Sequence, residues 1–146
     1  MSPKILGILE GERQKYPVMW SPSTPTVDEI ERAERSMGVH FVDDYRDFLV
    51  RFGAGIVGSQ TVIGLGRAEA MGNHETSVVV ATKRFQAENW PGVVGWYVIS
   101  VDGRGNPVGI DPSGSIYISD HDLHRVDRIC DSFEEWIEKK CLKLKK

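Results

Sequence analysis

The sequence predicts a single α+β domain in which helices pack on one side of a mostly antiparallel sheet of about four to six short strands. Apolar residues follow helical spacing in the first half, whereas short β-like runs separated by turn residues follow Trp90-Pro91-Gly92. A last helical pattern predicts a C-terminal helix. The length of 146 residues suits one domain over 1–146, with an N-terminal helix and loop at 1–25 and a basic tail at 138–146.

Capping residues mark the first two helices. Pro3 follows Ser2 at a position where proline is favoured in the first helical turn. Thr26 and Glu29 form a capping-box pattern, in which each side chain accepts a hydrogen bond from a backbone N–H of the other. Gly38 is expected to end that helix, because glycine adopts the left-handed conformation at no steric cost.

Two further helices are predicted before residue 90. Asp43 and Asp44 mark the start of one, since negative charge favours a helix N-terminus. Its apolar stripe consists of Tyr45, Phe48, Leu49 and Phe52. The other covers Thr76–Glu88, although the β-branched run at 78–80 leaves a strand open there.

The second half of the chain has the pattern of an antiparallel meander. Its β-like runs are Trp96–Val101, Pro107–Ile110, Ser115–Ser119 and Arg125–Ile129. The linkers at 102–106 and 111–114 are rich in residues that tolerate positive φ or favour turns. Short strands are also expected earlier, at Val57 and at Val62–Leu65. Ser132 and Glu135 predict a second capping box, at the start of the terminal helix.

Composition argues against several classes of protein. With 40% hydrophobic and 27% charged residues, the chain resembles a folded globular domain. No apolar run reaches the roughly 18–20 residues of a membrane span, and residues 1–11 lack the pattern of a secretory signal. Cys130 and Cys141 are too few for a disulfide framework and lack zinc-site spacing. We therefore expect a cytoplasmic protein with reduced thiols and no cofactor.

Charge is distributed unevenly along the chain. Residues 90–135 hold eight acidic and three basic side chains, a net charge of -5, whereas residues 136–146 hold one acidic and five basic side chains, a net charge of +4. One interpretation is a solvated face followed by a frayed terminus. The other is that the acidic segment attracts a basic partner and speeds the encounter.

The most site-like cluster is Asp120-His121-Asp122, with His124 nearby. An EF-hand is not indicated, since glycine and glutamate are missing at the positions that such a loop requires. No complete ligand set for another metal is visible in the sequence. A polar turn, in which aspartate side chains accept from nearby backbone N–H groups, explains the same residues.

Two other chemistries have weaker support. Gly64-Leu65-Gly66 imitates part of a dinucleotide fingerprint but lacks its third glycine and its βαβ unit. Cys130 with His124 lacks an orienting third group, and Cys130 precedes a capped helix, where burial would make it a small apolar residue. A small hydrolase or a metal-dependent enzyme therefore remains only as a third hypothesis.

Three blocks of sequence together resemble one family. They are VDEIERAERSMGVHFVDDYRDFL at 27–49, VISVDGRGNPVGIDPSGSIYISDHD at 98–122 and DSFEEWI at 131–137. In order and spacing they are similar to the SUKH superfamily, which includes a yeast regulator of cell-wall assembly and bacterial immunity proteins. The resemblance implies a non-catalytic binding module.

An immunity protein of this kind would bind a cognate toxin and block it by occlusion, and a regulatory scaffold in cell-wall or stress signalling is the alternative. The expected partner is a protein, such as a basic toxin domain, rather than nucleic acid or a membrane. Carboxylates on the turns would face it, and neighbouring polar side chains would add directional hydrogen bonds. The predicted partner-binding residues are Asp102, Arg104, Asn106, Asp111, Asp120, His121 and Asp122.

Overall fold

Helices, a short hairpin, a further helix, a four-stranded meander and a terminal helix follow one another along the chain. The computed structural model describes residues 1–72 and 77–144. Within these ranges the helices are α1 (Pro3–Lys15), α2 (Val27–Met37), α3 (Asp43–Arg51), α4 (Val78–Ala87) and α5 (Phe133–Trp136). The strands are β1 (Gly55–Val57), β2 (Gln60–Val62), β3 (Tyr97–Val101), β4 (Pro107–Ile110), β5 (Ile116–Asp120) and β6 (Arg125–Cys130). They form antiparallel sheets in the orders β1-β2 and β3-β4-β5-β6, which confirms the predicted fold class.

Helix α2 carries both of its predicted caps. Thr26 Oγ1 accepts from the Glu29 N–H at 3.1 Å, and Glu29 Oε1 accepts from the Thr26 N–H at 3.0 Å. Gly38 ends the helix in the left-handed conformation, with φ of +66°. Both ends are therefore set by hydrogen bonds among neighbouring residues.

Helix α3 carries its predicted apolar stripe into the core. Tyr45, Phe48 and Leu49 are fully buried, and Tyr45 Oη donates to the carbonyl oxygen of Ile63 at 2.7 Å. Phe133 of α5 packs edge-on against Tyr45 and Phe48, with ring centroids 5.2 and 5.6 Å away. Aromatic pairs of this geometry add to the stability from area burial, so they tie α3 to α5.

The second strand of the hairpin lies earlier in the chain than the sequence predicts, and Gly64 and Leu65 form only isolated β-bridges with Ser77. Strand β2 ends at Val62, although the pattern favours a strand over Val62–Leu65. Ile63 instead donates its N–H to the carbonyl oxygen of Ile99 at 2.7 Å. The chain therefore leaves the hairpin and approaches the edge of β3.

Helix α4 includes the β-branched run at 78–80. Ser77 Oγ caps it by accepting from two backbone N–H groups of the first turn, at 3.2 and 3.4 Å. Thr76, the predicted first residue, lies outside the described residues. The buried side chains of α4 are Val78, Ala81, Thr82 and Phe85. Their burial outweighs the modest helix propensity of valine.

The meander pairs each strand with the next one in the chain. Tyr97 lies opposite Ile110, Ile110 opposite Ile116, and Ile116 opposite Cys130. Directly opposed residues share one face of a sheet. Tyr97 packs against Tyr45 at a centroid distance of 5.4 Å, so this is the face toward α3.

The segment between α4 and β3 crosses the opposite face of the meander. Trp96 stacks on Tyr117 with ring centroids 5.6 Å apart. Gly109 lies beneath Trp96, where a Cβ would come within 2.8 Å of the indole. Gly92 approaches Val126 similarly, since a Cβ there would lie 2.9 Å from the valine. The crossing segment therefore covers part of this second face.

The terminal helix starts where predicted but is capped differently. Ser132 Oγ accepts from the Glu135 N–H at 3.1 Å, whereas Glu135 Oε1 accepts from the Asp131 N–H at 3.3 Å. The second hydrogen bond of the predicted capping box is therefore wrong, because the Glu135 carboxylate accepts from the N–H of Asp131 and not from that of Ser132. Helix α5 continues as a π-helical turn over Ile137–Cys141, in which Cys141 is buried. Residues 138–141 of the predicted tail belong to this turn, and 145–146 lie outside the described residues.

Candidate functional site

Most of the predicted partner-binding residues lie at one end of the meander. The turn after β3 and the turn after β5 leave the sheet at the same end, whereas the turn after β4, which holds Asp111, lies at the other. This follows from antiparallel pairing, because every second turn returns to the same end. We call the six residues at the first end the turn cluster: Asp102, Arg104, Asn106, Asp120, His121 and Asp122.

Asp102 shapes the turn between β3 and β4. Its Oδ1 accepts from the backbone N–H groups of Arg104 and Asn106, both at 2.9 Å. Gly105 completes the turn with φ of +83°, a value that glycine tolerates. The carboxylate is therefore engaged with its own turn, as expected of an aspartate at such a position.

Asn106 joins the two turns of the cluster and is only 1% exposed. Its Nδ2 donates to Asp102 Oδ2 at 3.2 Å. Its Oδ1 accepts from the His121 backbone N–H at 3.2 Å and lies 2.6 Å from His121 Nδ1. An amide supplies a donor to one turn and an acceptor to the other, so the side chain acts as an internal bridge rather than as a group directed at a partner.

His121 is held in place from several sides. Trp90 packs edge-on against the imidazole, with ring centroids 5.3 Å apart and an angle of 80°. His121 Nε2 lies 3.2 Å from Asp122 Oδ1, and 47% of the His121 side chain is exposed. Trp90 is a supporting residue that the sequence did not reveal, because no spacing rule connects it with His121.

Asp120 closes the turn between β5 and β6. Its Oδ1 accepts from the backbone N–H groups of Asp122 and Leu123, at 3.0 and 3.1 Å. This geometry is the polar turn that the sequence offered as the alternative to a metal site. Asp120 is therefore used for folding the turn, and its neighbours carry the exposed charge.

Arg104 and Asp122 are the most exposed charged side chains of the turn cluster. Their side chains are 75% and 51% exposed, and Arg104 Nη1 lies 3.7 Å from Asp122 Oδ2. An exposed pair at this distance contributes little to folding stability. Both side chains can therefore turn to a partner at small energetic cost.

Asp111 builds a separate turn at the other end of β4. Its Oδ1 accepts from the backbone N–H groups of Ser113 and Ser115, both at 3.1 Å, and from Ser113 Oγ at 2.6 Å. Five residue steps along an extended chain separate Asp111 from Asn106, or about 17 Å. The structure thus does not bring Asp111 together with the other predicted residues.

Cys130 and Gly64, which the sequence raised as a possible nucleophile and as part of a dinucleotide motif, both lie in tightly packed surroundings. Cys130 is 3% exposed, and burial, reinforced by the Glu135 carboxylate, raises the pKa of its thiol to about 11. Reactive cysteines instead have a lowered pKa. At Gly64 the carbonyl oxygen of Gly53 occupies the space that a Cβ would need, so close packing accounts for that glycine.

Neither a metal-ligand cluster nor a membrane-spanning helix is present in residues 1–72 and 77–144. Among them, no group of three or more His, Cys, Asp or Glu residues could hold a metal ion. No helix in these ranges is long and apolar enough to cross a bilayer. The turn cluster is a candidate for recognition of another molecule because Arg104, His121 and Asp122 are exposed side by side at one end of the meander.

Comparison with known proteins identifies the family. The family model described as SMI1-KNR4 cell-wall, SUKH_5, matches residues 6–143. The chain belongs to the SUKH family. SUKH proteins are generally non-enzymatic immunity or regulatory proteins, and the matched span contains the whole turn cluster. Among curated proteins, none matches this SUKH chain.

Proposed function

We propose that this SUKH protein is a non-catalytic, cytoplasmic binding module that neutralises a cognate bacterial toxin by covering its functional surface. Membership of the family supports an immunity or regulatory role. The turn cluster supports the location of the contact, since it presents polar side chains on a rigid support. The proposed mechanism needs no cofactor and no chemical step.

The bridge formed by Asn106 is the observation that carries this proposal. It is buried and bonded to both turns, so it fixes the backbone from which Arg104, His121 and Asp122 project. Because this backbone is already ordered, the SUKH protein loses little conformational entropy when a partner binds there. Preorganisation of this kind favours a tight and specific protein contact.

Charge indicates the kind of partner. Residues 90–135 carry a net charge of -5, and Asp122 is exposed at the tip of this segment. Exposed carboxylates mainly raise the rate of association with a basic surface, whereas buried anchors mainly control dissociation. A toxin domain with a basic surface, such as the substrate groove of a nuclease, has the complementary charge.

The test is a titration of the purified protein against the toxin domain that this proposal expects to be encoded beside its gene. Asp122→Asn removes exposed charge from the turn cluster, while Glu31→Gln removes the same charge from an exposed position on α2. We expect Asp122→Asn to slow association several-fold at low salt and Glu31→Gln to leave the rate unchanged. Equal rates for both variants would reject the turn cluster as the contact surface.

The cell-wall description of the matching family favours a second candidate function. A regulatory scaffold in cell-wall or stress signalling would also act by binding a protein, but a host protein. The gene neighbourhood separates the two candidates, since an immunity gene lies beside a large toxin gene. Purification of the protein from its host then tests whether the bound partner is that toxin.

A further inference from the structure

The two edges of the four-stranded sheet differ. The outer edge of β3 is closed, since Ile63 donates its N–H to the Ile99 carbonyl oxygen at 2.7 Å. Val98 of the same strand donates its N–H to Thr82 Oγ1 at 2.8 Å. Such contacts prevent a further strand from pairing at that edge.

Strand β6 forms the other edge and is open. It pairs with β5 on its inner side, and no described residue forms a backbone–backbone hydrogen bond along its outer side. Arg125, Val126 and Arg128 are all exposed. An exposed edge of this kind is a template for pairing with another strand.

The faces of β6 carry different side chains. Arg125 and Asp127 lie opposite Asp120 and Ile118 of β5, on one face. Arg125 Nε donates to Asp127 Oδ2 at 2.8 Å, as expected of side chains two residues apart on a strand. Val126 and Arg128 occupy the other face.

We propose that β6 pairs antiparallel with β6 of a second copy, around a twofold axis at Val126. In this register each Arg125 lies opposite Asp127 of the other copy, and the two Val126 side chains lie opposite each other. Opposite charges and apolar pairs stabilise directly opposed positions. The two meanders, each of four strands, would then form one continuous sheet.

Neighbouring registers are disfavoured by charge. The pleat allows only registers centred on a residue, because opposed side chains must share a face. A centre at Asp127 places two aspartates opposite each other, and centres at Arg125 or Arg128 oppose two arginines. Like charges directly opposed are destabilising, so the register centred on Val126 is selected.

The proposed dimer is small and therefore weak. An interface limited to a few residues of one strand lies below the roughly 1,200 Å² of a stable specific complex. We expect association that increases with protein concentration rather than a permanent dimer. This inference goes beyond the proposed function and does not depend on the identity of the partner.

The experiment is sedimentation velocity of the full chain from about 10 μM to about 1 mM, with charge-changed variants. Arg125→Asp opposes two pairs of aspartates, and Asp127→Arg opposes two pairs of arginines, so each variant alone should remain monomeric. Mixing the two variants should restore dimers, because both pairs of residue 125 with residue 127 are then of opposite charge. The double variant R125D/D127R should dimerise by itself. Circular dichroism confirms that each variant is folded.

Several outcomes would overturn the proposal. They are a wild-type chain that stays monomeric at every concentration, a dimer that survives both single substitutions, and a mixture that does not associate. Amide hydrogen exchange of the wild type provides a measurement without substitutions. Exchange at residues 125–128 should slow at high protein concentration, and unchanged exchange there would also reject the pairing.

Discussion

Asn106 Oδ1 lies 2.6 Å from Nδ1 of His121, fifteen residues away in sequence. The contact holds together two turns that belong to different strand pairs. Because Asn106 is buried, neither its Oδ1 nor its Nδ2 can exchange its protein partner for water without opening the cluster. The proposed binding surface therefore depends on a residue that a partner does not need to touch.

Replacing Asn106 by alanine should lower the free energy of unfolding by about 2–3 kcal/mol, because Asp102 and the His121 N–H lose a buried partner. Urea denaturation measures the change. Arg104→Ala is the control, since it alters an exposed side chain of the same cluster and should cost less than about 0.5 kcal/mol. Similar losses for the two variants would contradict the structural role of Asn106.

Two glycine substitutions should have opposite effects on stability. Gly7→Ala in α1 should raise the free energy of unfolding by about 0.5–1 kcal/mol, since a Cβ there meets nothing within 4 Å and alanine favours a helix. Gly64→Ala should lower it by about 1–3 kcal/mol, because the Cβ would displace the backbone at Gly53. Thermal unfolding of both variants tests these two environments. A stabilising Gly64→Ala would contradict the close packing of Gly64 against Gly53.

Removal of the Thr26 cap should destabilise α2. We expect Thr26→Ala to lower the free energy of unfolding by about 1 kcal/mol, because the Glu29 N–H loses its acceptor. Thr24→Ala, in the exposed loop before the helix, is the matched control. Urea denaturation of the two variants at neutral pH compares them, and a cost shared by both would not arise from the cap.

The same cap predicts a pH dependence of stability. The Thr26 backbone N–H, and then its hydroxyl group, lower the pKa of Glu29 in the folded state. A lowered folded pKa means that Glu29 contributes stability above its unfolded pKa of about 4.3 and loses it as the pH falls through the folded pKa. The stability difference between wild type and Glu29→Ala should therefore shrink between neutral pH and about pH 3. A difference that grows on acidification would contradict this sign.

Both cysteines should resist thiol reagents in the folded protein. Burial is the main cause that raises the pKa of Cys130 to about 11, and it also raises the pKa of Cys141. Because the thiolate is the reactive form, a disulfide reagent at neutral pH should label the native protein far more slowly than the protein in urea. Rapid native labelling would show that these thiols are accessible.

The raised pKa values also predict a pH dependence of stability. The contribution of the buried, neutral thiols to the free energy of unfolding should be full below their unfolded pKa and should decrease as the pH rises toward the folded values.

Local patterns predicted much of the fold. The Thr26–Glu29 box, the Gly38 terminus and the turns of the meander depend on bonds among residues a few positions apart. The apolar spacing also predicted the helix over the run at 78–80, and packing of its buried side chains excludes the strand that the same β-branched residues left open. The second cap differs from the prediction for a local reason, because the Glu135 carboxylate accepts from the Asp131 N–H rather than from the Ser132 N–H.

The sequence by itself determined the α+β class, the order of the elements and the polar character of each turn, because these follow from periodicity and short-range hydrogen bonds. Only the tertiary structure decided that Asp111 lies apart from Asp102, that Asn106 is buried between two turns, and that β6 is the open edge. These features depend on which strands pair and on what covers them. Their contacts join residues far apart in the chain, where spacing in the sequence carries no direct signal.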